Sequence, residues 1–311
     1  MNYVDHINQA LKSQVENVDH LVLFGQNISA GSCISGLCKN LGVNSTSRII
    51  NTPNCENTLV GVGQGLAVSG SSGIFIMKQL DFLLLGIDQI VNTTNFFRLR
   101  NDLKGSFTIM AVIVDSGYEG AQASINNLAD ICSIARVDGY TITNRHDADY
   151  ILNHKLITPG FRLICISQRL FRTEVIGVQE EVKVFNGGNI FQYRRGARLS
   201  VVCFNFSLPQ GLALCEQLKA RGIESSLYSI NNSLAGDYGP VLDDFRKTGK
   251  LLILDDSKSV HTPSVFLDSA ARTIDAQNVK LIRRELSDQS LYPNEDKFAV
   301  NTREIDLFLG R

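Results

Sequence analysis

Short apolar runs alternate with helix-like stretches along nearly the whole chain, and this alternation restricts the fold more than any other feature. Residues 21–25, 47–51, 75–77, 108–114 and 162–167 read as strands. Between them, residues 26–41 read as a Gly/Ser-rich turn leading into a helix. A glycine-bearing helix follows Glu56, and helical patterns cover 122–134 and 147–154. Short, continuously apolar strands separated by helices suit a parallel sheet with both faces covered. Residues 178–196 change character, with Gln179-Glu-Glu-Val-Lys183, Gly187-Gly188 and Arg194-Arg195-Gly196, and read as a linker. Beyond it the alternation resumes: strands at 199–204, 225–230 and 250–254, helices at 209–221, 240–248 and 263–276. The expected fold class is α/β, with one domain over residues 1–186 and a smaller one over 187–311.

At 311 residues the chain can bury two cores. Its 30 Lys plus Arg against 31 Asp plus Glu leave no charge bias toward nucleic acid or an anionic membrane. No apolar run is long enough to span a bilayer, and residues 1–12 read as an amphipathic helix rather than a targeting segment, so a cytoplasmic protein is expected. The seven cysteines are scattered without a Cys-x-x-Cys pair and read as buried thiols. The five histidines lack metal-ligand spacing, and His261 reads as a surface or cap residue.

Two segments carry chemistry. The first, Arg48-Ile-Ile-Asn-Thr-Pro-Asn-Cys-Glu56, places a carboxylate after a strand and a Thr-Pro turn, ahead of Gly61, Gly63 and Gly65. These read as packing glycines that admit a close neighbour; their spacing is not that of a dinucleotide-binding loop. The second is Asp81-Phe82-Leu-Leu-Leu-Gly86-Ile-Asp88-Gln89-Ile-Val-Asn92. Together they resemble the pyrimidine-binding domain of thiamine-diphosphate enzymes, and more narrowly the beta subunit of the decarboxylating component of branched-chain 2-oxo-acid and pyruvate dehydrogenases. In that family the motifs read roughly Arg-Val-x-(Asn/Asp)-Thr-Pro-(Leu/Ile)-x-Glu and Asp-Tyr-x-x-x-Ala-x-Asp-Gln-Ile-x-Asn. The order of elements after residue 190 is similar to the carboxy-terminal domain of the transketolase-like superfamily.

The resemblance implies roles. Glu56 matches the glutamate that relays a proton to the aminopyrimidine of thiamine diphosphate, a task suited to a carboxyl in an apolar pocket. Phe82 matches an aromatic residue that stacks on the pyrimidine, and Asn54 lies beside the same ring. Asp88 and Gln89 are expected to organise helix contacts. No Gly-Asp-Gly motif with a following Asn is present; Gly236-Asp-Tyr-Gly239 lacks the third residue, so no metal ligand is assigned. Mg²⁺ and the diphosphate are then expected on a partner alpha subunit, in an α₂β₂ assembly. The implied activity is decarboxylation of a 2-oxo acid with acyl transfer. Split transketolase-type ketol transfer, or a scaffold with reduced catalysis, are the alternatives. Departures from the family bear on that choice: Ala123 stands where a His contacts the reaction intermediate, Gly25-Gln26-Asn27 replaces Gly-Glu-Asp, and Asn54 replaces an apolar residue.

Overall fold

A computed structural model describes residues 1–100, 103–115, 126–178, 181–257, 259, 263–272, 275–284 and 298–310. The chain forms two compact units, Met1–Gly177 and Val178–Arg311.

The first unit runs α1 (Tyr3–Val15), β1 (Leu21–Gly25), β2 (Arg48–Asn51), α2 (Glu56–Ser69), β3 (Ser72–Met77), α3 (Thr94–Leu99), β4 (Ser106–Ile113), α4 (Leu128–Ala135), β5 (Asp138–Ile142), α5 (Arg145–Lys155) and β6 (Gly160–Ser167). Its six strands lie in the order β2-β1-β3-β4-β6-β5, and every pairing is parallel. All eight residues of β4 are buried, as a central parallel strand covered on both faces requires, whereas edge strand β2 is largely exposed. In α1, Tyr3, Ile7, Leu11 and Val15 repeat at helical spacing and are all buried. The Tyr3 hydroxyl donates to the carbonyl of Ile142 at 2.5 Å, tying α1 to the end of β5. Arg162 spans β4 and β6, donating to Ser106 Oγ and Thr108 Oγ1, each at 3.0 Å.

The second unit contains β7 (Lys183–Phe185), β8 (Ile190–Arg194), β9 (Leu199–Phe204), α6 (Leu208–Ala220), β10 (Ser225–Ile230), α7 (Gly239–Thr248), β11 (Leu251–Asp255), α8 (Ser264–Ala271), β12 (Val279–Arg283) and α9 (Thr302–Leu309). Its sheet order is β12-β11-β9-β10-β8-β7, parallel from β12 to β10 and antiparallel at β8 and β7. The residues read as a linker are therefore a hairpin. Gly187 and Gly188 make its left-handed turn, and β8 extends the second sheet. The division falls at Gly177, ahead of the expected 186, because β7 and β8 find their pairing partners in the second unit. The helix expected within 26–41 is only the single 3₁₀ turn Ile34–Gly36, where Cys33, Ile34 and Ser35 all have positive φ.

No cysteines are disulfide-bonded; five are buried and Cys33 and Cys55 are half-buried. Among the described residues no helix is long and apolar enough to cross a membrane. Ala123 and His261 lie outside the described residues.

Of the three glycines of α2, only Gly63 is sterically required. A Cβ there would sit 2.0 Å from the ring of Phe107, a buried residue of β4. Gly61 faces the Gln89 side chain at 3.8 Å, and nothing lies within 4 Å of a Cβ at Gly65. The close neighbour is thus an aromatic ring, not a backbone. Gly63→Ala should lower stability by about 1–3 kcal/mol, as overpacking does. Gly65→Ala should match or exceed wild type by up to about 1 kcal/mol through helix propensity. Urea denaturation of both variants checks the pair.

Candidate active site

Three chain segments converge at the carboxyl ends of β1 and β3, where parallel sheets place ligand sites. The first is the exit from β1. Gly25 has φ +153°, and a Cβ on it would lie 2.2 Å from the carbonyl oxygen of Ile76, so only glycine lets the chain turn there. Its carbonyl accepts from the Thr52 backbone N–H at 3.0 Å, and Asn51 Oδ1 accepts from the N–H groups of Ile28 and Ser29. These bonds fix the approach of the second segment, the Thr-Pro turn, which delivers Glu56 as the first residue of α2.

The third segment is the 3₁₀ helix Leu80–Gly86. The apolar helix expected here takes three residues per turn, because Leu80, Leu83 and Gly86 all point inward. Phe82 falls between them, half-buried, and is presented to the cleft. Gly86 brings this segment against the start of α2: a Cβ there would lie 3.3 Å from the Glu56 carbonyl oxygen and 3.0 Å from Val60. A π-helical stretch, Gln89–Thr93, follows. It is held by Gln64 of α2, whose Nε2 donates to the Gln89 carbonyl at 2.6 Å and to Thr94 Oγ1 at 2.5 Å. Asp88 accepts from Asn92 at 2.6 Å, so this pair braces the helix.

The cleft so formed is lined by Gln26, Asn54, Glu56, Lys78 and Phe82 against an apolar wall of Leu59 and residues 75–77. Glu56, Phe82 and Asn54 are therefore brought together. Glu56 is only 9% exposed, and among the described residues its carboxyl has no hydrogen-bond or ion-pair partner. Asn54 is exposed at the rim. Cys55 is held aside, its thiol directed at the Pro53 carbonyl at 3.7 Å.

Two residues of this region were given no role from the sequence. Lys78, exposed at the end of β3, adds a cation to the cleft and has no ion-pair partner among the described residues. Asp81, next to Phe82, is 5% exposed, and neither carboxyl oxygen finds a partner on another residue. Burial pushes its carboxyl up to about 7, against a smaller opposing effect of its own backbone N–H. Its sequence signal is its place as the first residue of the second motif, an acid ahead of an apolar run. Among the described residues no cluster of His, Cys, Asp and Glu could hold a metal ion. Asp237 of the Gly236-Asp-Tyr-Gly239 segment accepts from the Gly239 N–H at 2.9 Å and shapes a turn.

The sequence is similar to those of several dehydrogenase subunits. The chain is 28% identical over 259 residues to the mitochondrial 2-oxoisovalerate dehydrogenase subunit beta 2 of Arabidopsis thaliana, covering 81% of this chain and 72% of the other. It is 23% identical to the 2-oxoisovalerate dehydrogenase subunit beta of Bacillus subtilis, covering 98% and 96%. The chain is homologous to the beta subunits of 2-oxo-acid dehydrogenases. The pyruvate dehydrogenase E1 component subunit beta of Acholeplasma laidlawii matches at 22% over 85% of this chain and 82% of its own. A split-gene transketolase, solved as an inactive beta4 tetramer, superposes with a TM-score of 0.67 over 98% of this chain and 96% of its own at 14% identity. That likeness establishes the transketolase-like fold. No family model matches the chain.

Asp81 leads to a pH prediction. Its folded-state value of about 7 lies above the unfolded value near 3.8, so the folded protein binds the extra proton between them. Stability should therefore fall as pH rises from about 4 to about 7. Asp81→Asn should flatten that fall, leaving the variant close to wild type at pH 4.5. At pH 8 it should be more stable, by on the order of 1–3 kcal/mol. Thermal melts across this range test it.

Proposed function

We propose that this chain is the pyrimidine-binding beta subunit of a heteromeric thiamine-diphosphate enzyme that decarboxylates a 2-oxo acid and transfers the acyl group. The observation that carries the reading is that Glu56, a largely buried residue whose carboxyl has no partner among the described residues, lines one cleft with Phe82 at the carboxyl ends of parallel strands. The homology to 2-oxo-acid dehydrogenase beta subunits supports it.

The cleft residues fit an aminopyrimidine. It would supply the partner that Glu56 lacks among the described residues, and Phe82 offers the aromatic face that a flat heteroaromatic ring stacks on. Asn54 at the rim can donate or accept a hydrogen bond. When bound, thiamine diphosphate supplies a nucleophilic thiazolium carbon and an electron sink for the carbon–carbon bond that breaks. Glu56 holds and returns a proton at the pyrimidine ring nitrogen. The apolar wall of Leu59 and residues 75–77 excludes water from that hydrogen bond and so strengthens it. Lys78 contributes positive charge on the side where an anionic substrate enters.

An alpha subunit would provide Mg²⁺ ligands and the diphosphate site, making each active site a joint product of two chains in an α₂β₂ assembly. Exposed Leu84, Leu85, Phe96 and Leu99 support this, since apolar side chains of that size are usually covered in an obligate interface. The chain alone should accordingly bind thiamine diphosphate far more weakly than the complex does, as calorimetry would reveal.

The decisive assay uses the chain purified with its accompanying subunit and a panel of 2-oxo acids. Dye reduction should require thiamine diphosphate and Mg²⁺, and Glu56→Gln should slow it by about 10²–10⁴-fold. Undiminished turnover by Glu56→Gln would remove the proton-relay role. Turnover of ketose–aldose pairs in place of 2-oxo acids would reassign the reaction to ketol transfer, and silence toward both would leave a scaffold.

A further inference from the structure

A second cavity lies in the first unit, at the opposite end of the same sheet. It encloses about 490 Å³ and opens at the amino ends of β4, β5 and β6, where Asp138 and Gly160 are the first residues of their strands. The Glu56 cleft lies at the carboxyl ends, so the two are separate. Among the described residues the cavity wall carries four cations, Arg98, Arg136, Lys155 and Arg162, and one carboxylate, Asp138.

The contacts of these cations among the described residues are to neutral groups, while Asp138 acts on Arg162 through charge alone. Arg162 is 6% exposed, and four of its guanidinium N–H groups go to neutral oxygens: Ser106 Oγ, Thr108 Oγ1 and the carbonyls of Thr158 and Pro159. Burial draws it down to about 10, which leaves it charged at neutral pH. Arg98 donates to the carbonyls of Ala135 and Arg136 at the carboxyl end of α4, again neutral acceptors. Lys155 Nζ stands over the Tyr140 ring, 5.5 Å from its centre. Arg136 has no ion-pair or side-chain hydrogen-bond partner among the described residues.

Arg136 is also placed against local preference. It closes α4 in the left-handed conformation, φ 54° and ψ 46°, where glycine or asparagine is the usual residue. An arginine there accepts backbone strain, and the residue lines the cavity.

We propose that this cavity is a binding site for a small dianion, a phosphate ester or a dicarboxylate. Arginine forks and a lysine around a half-enclosed space provide the charge-assisted bonds such groups take. The volume lies within the range of small-molecule sites and leaves room for a carbon body beside the anionic group. The proposal does not depend on the thiamine-diphosphate reading, since none of these residues belongs to the Glu56 cleft.

The test is isothermal titration of the full chain with inorganic phosphate and, separately, succinate, each at ionic strength matched with NaCl. Saturable binding of either supports the site, and the tighter of the two identifies the anion class. Arg136→Gly is the key variant, because it relieves the left-handed strain and should fold at least as well as wild type. It should weaken binding at least tenfold, and Lys155→Gln should weaken it several-fold. Lys78→Gln, in the other cleft, should leave it unchanged. Equal affinity in wild type and Arg136→Gly, loss with Lys78→Gln instead, or a response that follows ionic strength alone would each overturn the proposal.

Discussion

The close seating of α2 on its surroundings is the constraint on which the site depends. Gly63 leaves no room beyond the Phe107 ring, and Gly86 sets the 3₁₀ helix against the Glu56 carbonyl. Gln64, buried within the same helix, then anchors the π-helical stretch through its amide. These contacts hold the helix on the sheet and the third segment on the helix. Glu56 and Phe82 owe their shared cleft to them, although 25 residues separate Phe107 from Phe82 in the chain and neither pair of contacts is local. Interiors packed at crystal-like density transmit such small differences in side-chain size directly to position.

Two carboxyl groups are buried around this junction, and they differ in kind. Glu56 borders a cleft and can be satisfied by a bound ring. Asp81 points into protein, and burial favours its protonated form. An unsatisfied buried carboxyl such as that of Asp81 costs free energy. Asp81, next to Phe82, thus departs from what packing alone selects. The positive cavity at the other end of the sheet is a second such departure, with an arginine in a backbone conformation that glycine adopts freely.

The second unit is built by different means. Its parallel core, β12 to β10, is extended by the antiparallel hairpin of β7 and β8, and a core of Val202, Ile253, Phe245 and Phe266 lies between sheet and helices. Gly196 approaches the Ser225 backbone so closely that a Cβ would sit 2.3 Å from its nitrogen, which admits the hairpin to the edge of β10.

The sequence by itself determined the α/β class, the parallel strands at 21–25, 199–204 and 225–230, and the helices whose apolar spacing is regular, because periodicity and Gly/Pro punctuation are local properties. It also singled out Glu56, Phe82 and Asn54, through two short motifs whose resemblance carried their pairing. Strands β5, β7, β8 and β12 were not legible. They are short, and for β7 and β8 the surrounding glycines and charges suggested a linker, while their stability comes from pairing with a sheet elsewhere in the chain. The 3₁₀ form of residues 80–86, the requirement for glycine at 63 but not at 65, the burial of Asp81 and the gathering of four cations at the amino ends of β4, β5 and β6 were decided only by tertiary structure. Each depends on which distant group lies within a few ångströms, and no local pattern encodes that distance.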